Sequence, residues 1–600
     1  MIKTANVWAL IVCFCWLIKA ANADQPLKLD PIIEQAEQDR IASIARATPS
    51  AVSVFVPGGG GGGSGVLISP DGFALTNFHV TSPAGSFMRC GISDGNIYDA
   101  VIVGIDPVGD LAMIRLLGRD DFPSAEIGSS RMAQPGDWCM VIGNPFLLAS
   151  NLQPTVTWGI LSRVGRYQYP SGTLLEYGDC LQTDASINPG NSGGPIYDAK
   201  GRLLGIVGRA SFEKRGRVNV GVGYAISINQ AKNFLGYLRS GRIVDHATFG
   251  ATVATDPDGG VLISNILDTS DAYRRGLRYN TEILEIDGRV VQTANDVQNV
   301  LATFPNEWRV KVVYRQDGKT AETLVRLSSV HQEDELLEKM AGALPPPPPR
   351  KPQPKKEGEE QDGDQKKSEP DPHATGKSSK LPKAVQEQLI ERKGYANYHF
   401  NRLQQDRFIK AVRGQFPGGE ADNDDAWVIE AVTDDDKQDP ALLRVTSGKM
   451  AMLVGDRPME LDRKSDLYDA VSSRSIAGML SALDVWRRMI SDGPKKFGES
   501  YYMGSMPLAG ERPLRDCMVG IDGELQARWL SHPESERIEV IEVFADQDED
   551  PAELWLIRDN PDSQPSILEL RYGTEAVIRL KVKSWKKVPE SELKDEEEKA

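Results

Sequence analysis

Short apolar runs separated by glycine- and proline-bearing turns dominate residues 50 to 230, and they predict strands rather than helices. Ala51 to Val56, Leu75-Thr76, Leu111 to Leu116, Ile196-Tyr197, Leu203 to Val207 and Asn219 to Ile226 are such runs. Helical spacing appears twice in this half. Ile32, Ile33, Ala36, Ile41, Ile44 and Ala45 predict a helix within residues 24 to 50, and Ala231, Phe234, Leu235 and Leu238 mark one face of a helix over 229 to 239. A second, smaller alternation follows: strands at Gly260 to Ile263, Glu282 to Ile286, Trp308 to Tyr314 and Thr320 to Leu327, with helices Asp271 to Gly276 and Ala294 to Phe304. Apolar positions then almost vanish from about 331 to 384, where Pro345 to Pro349 precede a stretch of Lys, Glu, Asp, Gln and Ser. That composition cannot bury enough surface to order itself and reads as an extended tether.

Patterning resumes at 385. A helix carrying Tyr395, Tyr398, Phe400, Leu403 and Phe408 comes first, then strands Trp427 to Ala431 and Ala441 to Val454. A helix with Ile476, Met479, Leu480, Leu483, Val485 and Ile490 leads to strands Arg537 to Phe544, Ala552 to Ile557, Ile567 to Tyr572 and Ala576 to Lys583. This is the pattern of a separate α+β unit with a mostly antiparallel sheet. Neither a nucleophile–base constellation nor metal-ligand spacing occurs in it, and His399 and His532 stand isolated, so a binding or assembly role is expected.

Length adds that 600 residues exceed one core, so three or more domains are expected. A net charge of −16 argues against a general nucleic-acid binder, which would show a basic face. Lys3, the apolar run Val7 to Ile18 and the small residues Ala21-Asn22-Ala23 read as a secretory signal, so export to a periplasm or cell envelope is expected. The rival, an uncleaved anchor, needs about 20 apolar residues to span a bilayer, and this run is shorter. Cys90, Cys139, Cys180 and Cys517 remain after the signal, without Cys-x-x-Cys spacing, so no zinc site is expected; free buried thiols are the default over one disulfide. Six glycines at Gly58 to Gly63 lack the strand–helix context and acidic residue of a dinucleotide site, and read as a loop over a cleft edge. No cofactor is called for.

The chemistry sits in Asp184-Ala185-Ser186-Ile187-Asn188-Pro189-Gly190-Asn191-Ser192-Gly193-Gly194-Pro195. A serine held among glycines can stand clear of its neighbours while backbone N–H groups face a developing oxyanion; a solvated Gly-Ser turn is the bland alternative. His79, in Leu75-Thr76-Asn77-Phe78-His79-Val80, is the only histidine before Ser192 and therefore the only candidate general base there. Asp94, Asp99, Asp106, Asp110, Asp120, Asp121, Asp137 and Asp179 all lie between the two. Asp110 is preferred, because the apolar strand it opens would bury it as an imidazole-orienting carboxylate must be buried. Asp106, ahead of Pro107, is the turn alternative.

Together with Gly63-Ser64-Gly65-Val66-Leu67-Ile68, Gly109-Asp110-Leu111-Ala112, Ile142-Gly143-Asn144-Pro145-Phe146 and Gly159-Ile160-Leu161-Ser162, these stretches closely resemble the HtrA/Deg serine proteases over roughly residues 40 to 328. The resemblance implies a mainly β, multidomain chain whose chymotrypsin-like double β-barrel draws His79 and Asp110 from the first barrel and Ser192 from the second. The N–H groups of Gly190 and Ser192 would hold the oxyanion, with Asn191 shaping the turn. Ser186 stands where a trypsin-like enzyme carries an acid, and Ile187 matches an apolar pocket position; with Ala210 and Ser211 opposite, a small to medium apolar P1 residue is implied. The next stretch resembles a PDZ domain of the same family, with Thr248-Phe249-Gly250-Ala251 as the loop that would take a peptide C-terminus by strand addition; Thr248-Phe249-Gly250-Ala251 and Asn280-Thr281 depart from the family's usual residues.

The domain reading is a signal peptide at 1–23, a protease domain at 24–242, a PDZ domain at 245–329, a disordered linker at 330–384 and a C-terminal α+β domain at 385–588. The function implied is an exported, ATP-independent serine endopeptidase acting on misfolded or exposed polypeptides, without nucleic acid and not membrane-spanning after signal cleavage. Assembly as a homotrimer or larger oligomer belongs to the same resemblance. A non-hydrolytic chaperone or peptide sensor on the same fold is the alternative.

Overall fold

Residues 30–57, 61–145, 151–168, 174–212, 219–343, 381–413, 425–491, 493–560 and 563–597 are described by the computed structural model. The expected signal peptide and the stretch from 344 to 380 lie outside them.

Two closed six-stranded barrels occupy the first half. The first contains β1 (Ala51–Phe55), β2 (Gly62–Leu67), β3 (Phe73–Thr76), β4 (Phe87–Ile92), β5 (Ile97–Asp106) and β6 (Leu111–Leu116), in the order β1-β2-β3-β6-β5-β4. The second contains β7 (Trp138–Gly143), β8 (Thr155–Gln168), β9 (Tyr177–Thr183), β10 (Pro195–Asp198), β11 (Leu203–Phe212) and β12 (Asn219–Ser227), in the order β10-β11-β12-β9-β8-β7. Most staves read as short, almost uninterrupted apolar runs because they are buried along most of their length, whereas β8 is largely uncovered, with only Leu161 buried.

Helix α1 (Pro31–Ala47) starts at Asp30, whose carboxylate accepts from the Ile32 N–H at 2.9 Å. Its apolar residues Ile32, Ile33 and Ile41 stay exposed on this chain. A one-turn helix α2 (Phe78–Thr81) follows β3, so His79 sits on a helical turn rather than on the end of a strand. Helix α3 (Ile228–Arg239) is capped by Ser227 and buries Phe234, Tyr237 and Leu238. Gly62 and Gly63 belong to β2, which corrects the expectation of a loop across the whole glycine run.

Between 247 and 329, β14 (Ala251–Thr255), β15 (Val261–Ile266), β16 (Glu282–Ile286), β18 (Arg309–Gln316) and β19 (Lys319–Arg326) form a sheet in that order, with β17 (Arg289–Val290) beside β16. β13 (Ala247–Thr248) and β20 (Ser328–Ser329) close it as a two-stranded ribbon, and α4 (Ala294–Leu301) begins with a capping box of Thr293 and Asp296. Helix α5 (Glu333–Ala343) then takes the start of the stretch expected to be an extended tether: Leu336 is buried and Glu333, Asp334 and Glu335 sit in its first turn.

The C-terminal region is larger than its alternation suggested. Helix α6 (Tyr398–Arg413) leads into one antiparallel sheet of eleven strands: β21 (Asp425–Thr433), β22 (Pro440–Val445), β23 (Lys449–Val454), β24 (Arg457–Asp462), β25 (Glu499–Leu508), β26 (Glu511–Asp522), β27 (Leu525–Ser531), β28 (Ile538–Phe544), β29 (Ala552–Ile557), β30 (Ile567–Tyr572) and β31 (Glu575–Pro589). The run Ala441 to Val454 is therefore a hairpin, and β31 reaches past 588. Helix α7 (Gly478–Ser491) packs against the sheet, where Trp427, Trp486 and Trp585 meet edge to face at 5.2–5.5 Å. One apolar cluster runs without a break from barrel residues through Trp308 to Met503 and Val540, so this region is docked rather than separate. Trp308 donates its indole N–H to the Ser505 carbonyl at 3.1 Å, and Phe73 meets Phe400 at 5.9 Å.

Candidate active site

The loop between β5 and β6 delivers Asp110, which is fully buried at a positive φ of 59°. Its own carbonyl accepts from Asn77 Nδ2 at 3.0 Å and from the Phe78 N–H at 3.2 Å, tying the loop to α2. The carboxylate grips His79 from two directions. Oδ1 accepts the His79 backbone N–H at 3.0 Å, and the ring Nδ1 lies 2.8 Å from Oδ2 and 3.0 Å from Oδ1. With Nδ1–H donated to the acid, Nε2 carries the lone pair. Burial by itself would lower the imidazole pKa, but the charge and hydrogen bond of Asp110 outweigh it and raise the pKa above the ordinary value.

Ser192 approaches from the second barrel. The Ser64 N–H donates to its carbonyl at 2.8 Å, and its own hydroxyl donates to the Gly208 carbonyl at 3.3 Å. No hydrogen bond joins Ser192 to His79 among the described residues. Gly190 and Gly193 flank the serine at φ 102° and 83°. A Cβ at Gly193 would lie 2.2 Å from the Ser64 carbonyl oxygen. The Asn191 N–H is engaged with the Asn188 carbonyl at 3.0 Å. Among the described residues, the N–H groups of Gly190 and Ser192 donate to no acceptor.

Several supporting residues escaped the sequence reading. Tyr177, at the start of β9, donates its hydroxyl to Asp110 Oδ2 at 2.5 Å. Ser64 donates to the Gly190 carbonyl at 2.7 Å while accepting the Asn144 N–H at 3.0 Å, fixing one side of the serine turn. Asp106 is no ordinary turn residue. It is fully buried, accepts the N–H groups of Val108 and Gly109 at 3.1 and 2.7 Å, and lies 3.0 Å from Nε2 of buried His246. Nothing in their spacing announces these partners; each crosses between elements far apart in the chain.

Against this geometry, a trypsin-like peptidase domain model matches residues 63–206. A probable periplasmic serine endoprotease DegP-like from Chlamydia trachomatis is 35% identical over 291 residues, covering 46% of this chain and 56% of that protein. The putative serine protease HhoB of Synechocystis is 35% identical over 257 residues, covering 40% of this chain and 59% of that one. The solved structure of an HtrA-type protease AlgW with tripeptide is 30% identical, covers 49% of this chain and 98% of its own, and has a TM-score of 0.41. On these matches the first half of the chain is similar to the HtrA/Deg serine proteases. The chain spans a little over half the length of the curated relatives it matches.

Of the residues expected to line a side-chain pocket, Ile187 is buried, while Ser186 beside it is exposed. Ile187 fills space opposite Gly223, where a Cβ would lie 2.2 Å from Ile187 Cδ1, and Gly223 pairs with Ala210 across β11 and β12. The side chains of Ala210 and Ser211 lie outside the described residues, as does that of Arg209. In the 247–329 unit, Phe249 is buried in the core, Gly250 has φ 69° and its N–H donates to Thr248 Oγ1 at 3.2 Å, and Ala251 opens β14. β14 is an edge strand of its sheet. Cys90, Cys139, Cys180 and Cys517 are free and buried, and burial pushes the Cys139 thiol up to about 11 and that of Cys517 to about 12, which disfavours their thiolate forms. No group of three or more His, Cys, Asp or Glu able to hold a metal occurs among the described residues.

Proposed function

We propose that the chain is an exported, periplasmic serine endopeptidase that hydrolyses peptide bonds of misfolded or exposed polypeptides without ATP. The observation that carries this is the double grip of Asp110 on the ring and backbone of His79, opposite a serine turn with two undedicated N–H donors. Ser192 Oγ attacks the carbonyl carbon as His79 Nε2 takes its proton. The oxyanion settles on the N–H groups of Gly190 and Ser192, and the imidazolium, stabilised by Asp110, returns the proton to the leaving amine. Water then repeats the sequence on the acyl-enzyme. The buried Ile187 facing Gly223 supports a small to medium apolar P1 residue.

The periplasmic placement rests on the relative named as a probable periplasmic endoprotease, and no helix among the described residues is long and apolar enough to cross a membrane. The 247–329 unit serves as a PDZ domain: the edge of β14, next to Thr248 to Ala251, takes the C-terminus of a peptide as an added strand. The exposed Ile32, Ile33 and Ile41 of α1 support association between copies of the chain.

A second reading, a chaperone or peptide sensor that does not hydrolyse, is favoured by one contact: the Ser192 hydroxyl donates to Gly208 and not to His79. Unfolded casein separates the two. The parent protein is expected to cleave it and Ser192→Ala to leave it intact. Suppressed aggregation without cleavage by the parent would establish the second reading instead.

A further inference from the structure

A cavity of about 230 Å³ opens where three parts of the molecule meet. Helix α3 contributes Asn229, Gln230, Lys232 and Asn233; Arg289 and Thr303 come from the 247–329 unit; Arg512 comes from β26 of the large sheet. Arg131 completes the basic lining, and one carboxylate, that of Asp179, lines the cavity as well.

The charges in this cavity do not balance. Arg289 pairs with Asp179 at 2.9 Å, and Arg131 lies 3.4 Å from Asp287. Lys232 and Arg512 have only neutral acceptors: Lys232 Nζ donates to the Gly128 carbonyl and Arg512 to Asn233 Oδ1, each at 2.6 Å. Two cations thus converge on one cavity, Lys232 with no carboxylate and Arg512 with only the charge of Asp287 nearby, which Arg131 already engages. Burial, and then the charge of Arg512, pushes the Lys232 pKa down, while burial lowers that of Arg512 despite nearby Asp287. Independently, Gln230 lines the same space, is 1% exposed, and neither its Nε2 nor its Oε1 has a hydrogen-bond partner. A buried amide with both ends unsatisfied costs free energy unless a ligand or water completes it.

We infer that this cavity is a binding site for a small divalent oxyanion of the phosphate class, held by Lys232, Arg512 and the Gln230 amide. Such an ion matches the excess of two positive charges, offers acceptors to Lys232, Arg512 and Gln230 Nε2, and is small against the cavity. Its protonated form also presents an O–H to Gln230 Oε1. The walls come from three units, so occupancy ties the protease barrel, the 247–329 unit and the large sheet to one another. This site is separate from the serine chemistry and stands whether or not the chain cleaves peptides.

The test is calorimetric titration of inorganic phosphate into the full-length Ser192→Ala protein, in sodium chloride of matched ionic strength. Saturation near one phosphate per chain is expected, with affinity weakened at least about tenfold by Arg512→Gln and by Lys232→Gln (tenfold being about 1.4 kcal/mol). Gln230→Glu, which supplies the cavity with its own anion, is expected to fold and to lose binding. Arg457→Gln, an exposed charge on β24, should bind as the parent does. Pyrophosphate in a parallel titration distinguishes a free phosphate site from one shaped for a longer phosphoryl ligand, and tighter binding of either supports the assignment. Absence of heat beyond the chloride control, or equal affinity in the parent and all three cavity variants, would overturn it.

Discussion

The hydroxyl of Tyr177 donates to Oδ2 of Asp110 at 2.5 Å, the same oxygen that lies 2.8 Å from Nδ1 of His79. The Asp110 carboxylate, carried by the first barrel, is thereby also held by Tyr177 of the second. Tyr177→Phe removes one hydrogen bond to a buried charge while keeping the ring. Such bonds contribute about 1.5–3 kcal/mol. The variant is expected to fold, to unfold at lower urea, and to lose about tenfold or more in kcat with KM little changed, as measured by peptide cleavage.

Gly63 passes so near Ser192 that an added Cβ would stand 2.8 Å from the Ser192 carbonyl oxygen and 2.7 Å from a Val80 methyl. Gly63→Ala must push either the serine turn or the histidine helix aside. Overpacking of this kind costs about 1–3 kcal/mol. Gly61→Ala, by contrast, meets nothing nearby, although its φ of 123° adds strain. The expectation is that an active-site-directed serine reagent labels Gly63→Ala far more slowly than Gly61→Ala, and equal labelling rates would show that the close approach is dispensable.

The raised pKa of His79 sets the direction of the pH profile. Nε2 accepts a proton only when the imidazole is neutral, so kcat/KM is expected to rise with pH with an apparent pKa above 6.5. Asp110→Asn removes the charge that raises this value. Its residual activity should be several orders of magnitude lower and should titrate at lower pH.

His246 is buried against Asp106, and its pKa is also raised: burial opposes the charged form, but Asp106, with smaller contributions from Glu176 and Asp245, prevails. A group whose pKa is raised by folding stabilises fully below its unfolded value, near 6.5, and that contribution fades as pH climbs through the folded value. Stability measured by urea unfolding should therefore decline with pH above 6.5 in the parent. His246→Phe should flatten that component of the slope. It should also lower stability at acidic pH by about 3–5 kcal/mol, because the Asp106 charge is left without its partner. Asp106 shapes the turn that ends at Asp110, so kcat is expected to fall as well.

Much of this was legible because barrel staves and the serine turn are local patterns. Asp110 stood out from seven other aspartates by the apolar strand behind it, and the structure buries it completely. Local pattern could not reveal Tyr177, Ser64 or His246, whose partners lie 67, 126 and 140 positions away. The C-terminal strands were harder for a related reason. β26 carries Arg515 and Asp516 and β27 carries Arg528, charges that read as facing water, yet Arg528 is 1% exposed and donates to Glu307 at 2.9 Å across the unit boundary. Charges neutralised by a distant neighbour look like solvent-facing charges until the chain is folded.

The large sheet grips the 247–329 unit through Arg309 with Glu553, Arg326 with Glu542, and Arg275 with Asp550, all largely shielded from water. Cutting the chain ahead of residue 381 would strand three guanidinium groups and the indole of Trp308 on a freshly uncovered face. A shortened protease made in this way would not be a simpler enzyme with its tail removed. It would be a sticky, salt-sensitive fragment, and any peptide it captured at that raw surface would say nothing about the intact molecule.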